Sequence, residues 1–128
     1  MKQEKFSFRK RIRSFRYAIQ GISTLLRDEH NSRIHVAVMA AVISAGFLFG
    51  IKPLEWCAVV ICFGLVLMAE SINSAIEALA DLVMPNPHPL VKKAKDVAAA
   101  AVLMVSVASV AVGIIIFIPY LLKAISLD

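Results

Sequence analysis

The sequence predicts an all-α membrane protein, with an N-terminal amphipathic surface helix followed by three transmembrane helices. Three observations predict it. The 128 residues are 59% hydrophobic with a mean hydropathy of +0.77, too apolar for an ordinary soluble domain. Charge is unevenly placed: residues 1–33 hold nine Lys/Arg and three Asp/Glu, whereas the remainder holds five and six. Three stretches poor in charge then follow that basic arm. One domain is the default at this length, so residues 1–128 read as a single integral membrane unit.

Within the basic region 1–33, residues 7–27 read as a helix. Phe8, Ile12, Phe15, Ile19, Ile22 and Leu26 recur at three- and four-residue spacing, and Arg9, Lys10, Arg13, Arg16, Gln20 and Arg27 fill the other faces. A basic amphipathic helix beside membrane spans lies in the interface plane. The bland alternative, a solvated cytosolic helix, leaves the apolar stripe with no soluble domain to pack on. The arm points to anionic lipid headgroups rather than nucleic acid, because no nucleic-acid module follows it. It does not read as a secretory signal, since its hydrophobic part comes too late.

The first span is assigned to residues 34–51, whose part from Val36 to Ile51 is uncharged. That is short but workable against the roughly 20 residues that cross a bilayer. Lys52-Pro53-Leu54-Glu55 reads as a tight turn. The second span, 56–80, runs apolar from Trp56 to Ala69 and continues helical with Glu70 and Glu77 embedded. Pro85, Pro87 and Pro89 end it, because proline lacks the amide donor and restricts its neighbour. The third span, 97–122, is free of charge, with small residues at Ala98–Ala101, Ser106, Ala108, Ser109 and Gly113 for close helix contacts. Cys57 and Cys62, five apart in one apolar stretch, point to different sides of a helix and read as packing residues. A three-span chain of this size has little interior of its own, so association into an oligomer is expected.

Orientation follows from loop charge. The N-terminal arm is strongly positive, and Lys92, Lys93 and Lys95 precede the third span, while the turn at 52–55 is neutral. The positive-inside rule puts the N-terminus and the second loop in the cytoplasm and, with three spans, the C-terminus outside.

The chemistry concentrates between Glu70 and Asp81. Steps of three, four and four place Glu70, Asn73, Glu77 and Asp81 on one arc of a helix. An acid inside a span is costly and by default faces a protein interior or wet cavity and marks function. The alternative is a snorkelling or salt-bridged group near a helix end, which suits Asp81, suits Glu77 less and suits Glu70 poorly. Counting about 20 residues of hydrocarbon from Trp56 puts the cytoplasmic edge near Ala75, with Glu70 inside it and Glu77 outside. The two are separated by roughly 10 Å of helix rise, too far to grip one metal ion readily from a single helix. They are placed for separate tasks, one level with a lipid hydroxyl and one level with a water-soluble phosphate.

A second cluster, from His88 to Asp96, stands at the cytoplasmic mouth of the third span. Lys95 is suited to hold phosphate as a point charge, and Asp96 to orient it or to accept from a ribose or base donor. Lys92 and Lys93 satisfy the topology rule, and a lone His88 more often caps a turn than binds a ligand. Glu29, which closes the basic arm, supplies with Glu77 a second carboxylate for a hard cation such as Mg²⁺. There is no P-loop and no Gly-rich kinase loop. The residues alone give a membrane protein with a carboxylate-rich, cation-dependent site at its cytoplasmic face.

The run Glu70-x-x-Asn73-x-Ala75-Ile76-Glu77-x-x-x-Asp81, followed by His88, Leu90, Ala94-Lys95-Asp96, Ala100 and Val102, resembles the signature of the prokaryotic diacylglycerol kinase family. The resemblance covers nearly the whole chain. It implies a homotrimer in the bacterial cytoplasmic (inner) membrane, with active sites formed between subunits and a lipid hydroxyl attacking the γ-phosphate of MgATP. Carried over, Glu70 is the catalytic base, and Glu29 and Glu77 hold Mg²⁺. The nucleotide positions are Lys10, Tyr17, Glu29, Glu77, Asn86, His88, Lys95 and Asp96. Glu70, Asn73 and Ala99 are the lipid-substrate positions.

The chain departs from the family in places. Lys10 stands where the family offers an arginine, and Arg9 or Arg11 is an alternative for that contact. Ala98-Ala99 replaces the Gly-Ser that follows the Lys-Asp pair in proteobacterial diacylglycerol kinases. Arg13-Ser14-Phe15, Glu29-x-Asn31, His35, His88-Pro89-Leu90, Asp96–Ala99 and Ile115–Pro119 resemble the undecaprenol kinase branch, which phosphorylates a C55 polyprenol; Tyr17 resembles the diacylglycerol branch. The balance favours undecaprenol, with diacylglycerol as the alternative. A competing reading of another class, an ion-translocating subunit in which Glu70 shuttles a proton, leaves Lys95, Asp96 and Glu77 unexplained. A structural scaffold leaves the burial of Glu70 unexplained.

Overall fold

The computed structural model describes residues 7–126, so residues 1–6 of the expected basic arm and residues 127–128 lie outside the description. The described residues form α1 (Phe8–Asp28), α2 (His30–Phe49), α3 (Pro53–Val83) and α4 (Pro89–Ile125), with no strand among them. The all-α expectation holds, and α2, α3 and α4 are each long and apolar enough to cross a membrane. At about 1.5 Å per residue, α2 matches a bilayer core of about 30 Å, whereas α3 and α4 exceed it by several turns.

α1 reaches Asp28 and breaks at Glu29, whose extended backbone ends one helix and begins the next. Arg33 secures this joint. Its guanidinium reaches back from α2, donating from Nε to the Leu26 carbonyl at 2.9 Å and from a terminal nitrogen to the Arg27 carbonyl. These are the orphan acceptors at the negative end of α1, where a cation is favoured. Phe8, Ile12, Phe15, Ile19 and Ile22 are all exposed, and Leu25 is the buried residue of the helix.

The α2–α3 connection differs from the expected turn at 52–55. α2 stops at Phe49 because Gly50 takes a left-handed conformation (φ 61°), and the Ile51 amide donates to the Gly46 carbonyl at 3.1 Å. Glycine adopts that conformation without a Cβ penalty. Pro53 then opens α3 at its first helical position, where its missing amide costs nothing. Glu55 accepts from the Lys52 amide at 2.7 Å, so Pro53–Glu55 are the first turn of a helix rather than a loop. The Lys52-Pro53-Leu54-Glu55 run is a helix start.

Around this turn lies the core. Ile51, Val59 and Ile116 are buried, with Val42, Phe49, Trp56, Phe63, Val112 and Phe117 against them. Gly46 admits the Trp56 ring so closely that a Cβ there would stand 2.7 Å from a ring carbon. Tyr120 on α4 donates to Glu55 on α3 at 2.6 Å and closes this end of the hairpin. Pro119 lies inside α4 without ending it. Few other apolar residues are buried: Leu48 is 81% exposed and Ile115 73%, so the apolar surface faces outward. Cys62 is half-buried and in place for packing, whereas Cys57 is exposed; both are free thiols.

Candidate active site

α3 carries Glu70, Asn73, Glu77 and Asp81 on one continuous helix with graded exposure. Glu70 is 2% exposed, Asn73 and Glu77 are half-buried, and Asp81 is exposed. A carboxylate buried in a membrane-spanning helix needs a partner. That partner is His35 on α2, whose Nε2 lies 3.0 Å from Glu70 Oε1. In the sequence His35 extends the first span and resembles the undecaprenol kinase branch, with nothing local to mark it as a partner of Glu70. The signal that would have found it is general: an acid at mid-span requires a donor on a facing helix, and His35 is the polar side chain that α2 offers next to its apolar run.

Glu29 comes to α3 from the α1–α2 joint. It lines, with Thr24, Leu25 and Asp28, a cavity of about 540 Å³ closed on the other side by Ser71, Ser74, Ala75 and Ala78. Glu29 thus shares a cavity with the Ser74–Ala78 turn of α3, but Glu77, which lies in that turn, is not among the lining residues. The Oδ1 of Asn73 and the Oγ of Ser74 are buried and unpartnered. The carboxylates of Glu29 and Glu77 are hard oxygen donors of the kind Mg²⁺ takes when phosphate and water complete its shell. Their oxygen chemistry suits the ion, but among the described residues no three acidic, histidine or cysteine side chains are grouped to hold one.

The loop between α3 and α4 presents the remaining polar groups. Asn86 and His88 are exposed, and His88 caps α4 by accepting the Leu90 amide on Nδ1 at 3.2 Å, the capping role anticipated for it. Lys95 reaches across to Asp81 on α3, whereas Asp96 pairs with Lys92 one turn earlier on α4. Adjacent in sequence, Lys95 and Asp96 therefore have separate partners, and Asp81 is the salt-bridged group its position near a helix end implied. Lys10 and Tyr17 are exposed on α1. Ala98 is buried against α3, and Ala99 is exposed on α4.

Three further cavities adjoin these residues. One of about 330 Å³ lies between α2, α3 and α4, lined by His35, Val38, Val42, Cys62, Val66 and Ser106 among others, and is almost wholly apolar. A second groove, between α3 and α4, carries Lys93 at one end of an apolar lining that includes Met68, Ile72 and Ala98. The third is polar and local to α1, between Gln20 and Asp28.

The sequence model of the family described as prokaryotic diacylglycerol kinase matches residues 16–117, which include Tyr17, Glu29, Glu70, Glu77, Lys95 and Asp96. The chain is 39% identical over 110 residues to an undecaprenol kinase of Bacillus subtilis, covering 86% of this chain and 89% of that protein. It is 38% identical over 111 residues to a diacylglycerol kinase of Synechocystis, covering 86% of this chain and 63% of that protein. A diacylglycerol kinase of Pseudomonas aeruginosa is 35% identical over 85 residues, covering 66% of this chain and 69% of that protein.

Proposed function

The chain belongs to the prokaryotic diacylglycerol kinase family and is a membrane lipid kinase, and from that premise we propose that it transfers the γ-phosphate of ATP to the hydroxyl of undecaprenol, giving undecaprenyl phosphate. The observation that carries the reaction is Glu70, an ionisable side chain 2% exposed within a membrane-spanning helix, with Glu29 in a cavity against the same helix. The preference for undecaprenol rests on the branch residues, Ala98-Ala99 and His35 among them, and on the relative from Bacillus subtilis. Diacylglycerol, named in the relatives from Synechocystis and Pseudomonas, is the second candidate.

In this reading Glu70 accepts the proton of the lipid hydroxyl as its oxygen forms the bond to the γ-phosphorus and the bond to the β-phosphate oxygen breaks, releasing ADP. Phosphoryl transfer asks little covalent work of a protein, so placing the reactants and neutralising charge dominate. Glu29 and Glu77 would hold Mg²⁺, which when bound would neutralise charge on the phosphates. Lys95 offers a positive charge to the polyphosphate from α4, and Asn86 and His88 edge the same end of the hairpin. Lys10, Tyr17 and Asp96 are the remaining nucleotide contacts, and Asn73 and Ala99 the remaining lipid contacts.

The setting follows the same reading. α1 lies along the cytoplasmic face of the bacterial inner membrane, its exposed apolar residues in the lipid and its arginines among headgroups. The α3–α4 loop faces the cytoplasm and the C-terminus faces outward. The outward-facing apolar surface of α2–α4 is shared between lipid and two further copies of the chain, a homotrimer whose subunits complete one another's sites. Purified protein offered labelled ATP with undecaprenol and diacylglycerol in parallel tests the proposal. Label is expected in both lipids, with the higher kcat/KM for undecaprenol. Label in neither, under conditions where a related kinase is active, removes the reaction.

A further inference from the structure

We infer that His35 is a positioning residue for Glu70: it holds one carboxylate oxygen so that the other is presented to the lipid hydroxyl. The inference rests on Glu70 being the base. An ionised carboxylate can only accept hydrogen bonds, so the 3.0 Å contact requires His35 Nε2 to carry the hydrogen and donate to Oε1. Among the described residues this is the hydrogen bond that the Glu70 side chain makes, and it engages Oε1, so Oε2 is the oxygen that would take the lipid proton.

The environment makes this contact directional rather than incidental. Glu70 is 2% exposed, and the residue one turn before it on that helix, Val66, is also buried. Water is therefore a poor substitute for the His35 donor. The His35 ring is 24% exposed and lines the apolar cavity between α2, α3 and α4. It stands where the polar site meets a slot suited to a hydrocarbon chain. Without a donor the carboxylate rotates about its last torsion, which is broad and soft for glutamate. Misplacement of a reacting group by about 1 Å costs up to about a hundredfold in rate.

The test compares His35→Leu, which keeps bulk and loses the donor, with His35→Gln, which keeps an N–H. Each is measured for kcat, for KM of ATP and of lipid, and for thermal unfolding. His35→Leu is expected to lower kcat by about ten- to a hundredfold with the ATP KM unchanged, and His35→Gln to restore most of that loss. With three histidines in the chain, ¹⁵N spectra of the labelled protein give a second readout. Glu70→Gln is expected to shift the ring nitrogens of His35 while those of His30 and His88 stay in place. Glu70→Gln with near-normal turnover overturns the base assignment and this inference with it. An inactive Glu70→Gln beside a His35→Leu of wild-type kcat overturns the inference alone. Equal loss in the Leu and Gln variants, or a His35 spectrum indifferent to Glu70, overturns it as well.

Discussion

Lys95 on α4 is paired with Asp81 on α3, fourteen residues earlier in the chain, rather than with its neighbour Asp96. The pair bridges the two helices beyond the buried part of α3, at the end where the proposed nucleotide site lies. Its members are 32% and 67% exposed, so it contributes at most about 1 kcal/mol to stability. Lys95→Met should leave the thermal midpoint nearly unmoved and raise the KM for ATP about tenfold or more, as loss of a phosphate-binding charge does. Asp81→Asn should do less to ATP. Unfolding curves and ATP titrations of the two variants check this. A large drop in stability with an unchanged ATP response would make the pair structural.

The Mg²⁺ assignment predicts a response to the metal itself. Glu29→Gln and Glu77→Gln should raise the Mg²⁺ concentration needed for half-maximal rate more than they raise the lipid KM. Higher Mg²⁺ should recover part of the lost activity. The measurement is initial rate against Mg²⁺ at fixed ATP. A pure rise in lipid KM would place these carboxylates at the lipid instead.

Gly46 predicts a stability effect far from the chemistry. The Trp56 ring occupies the place of its missing side chain, and the nearest contacts of an added Cβ are ring carbons that the core holds in place. Gly46→Ala should destabilise by about 1–3 kcal/mol, the cost of overpacking a filled core. Thermal or denaturant unfolding in detergent measures it. Turnover per folded molecule should remain close to wild type.

Lipid preference is predicted to respond at Ala99. This residue is exposed on α4, while its neighbour Ala98 is fixed in the contact with α3. Alanine has no hydrogen bond to give a glycerol ester, and an ester buried without a partner costs about 1–3 kcal/mol. Ala99→Ser should move the kcat/KM ratio toward diacylglycerol without altering the ATP KM. Competition between the two lipids in the same micelles reads the ratio directly.

The helices were legible because hydrophobic runs and proline positions are local. α1 begins and ends within a residue of its expected bounds, and the Pro85–Pro89 stretch separates α3 from α4 as read. Helix ends were harder where a residue has two meanings. Lys52-Pro53-Leu54-Glu55 has the composition of a turn and the order of a helix start. The left-handed Gly50 before it is what decides between them. α4 begins at Pro89 rather than at the first uncharged residue, since charge limits a membrane span and not a helix. The arc from Glu70 to Asp81 could be drawn from spacing alone. The pairings His35–Glu70 and Lys95–Asp81 could not, because they depend on how α2 and α4 are rotated against α3.

Glu70 is the centre of the proposed reaction, so the most direct measurement is transfer of labelled γ-phosphate from ATP to undecaprenol by Glu70→Gln, with folding verified by an unchanged unfolding transition. An amide cannot accept the hydroxyl proton. The variant should lose at least about a hundredfold in rate while its KM for ATP stays near that of the wild type. A folded Glu70→Gln protein that phosphorylates the lipid at a rate close to wild type would contradict the assignment of this buried carboxylate as the base.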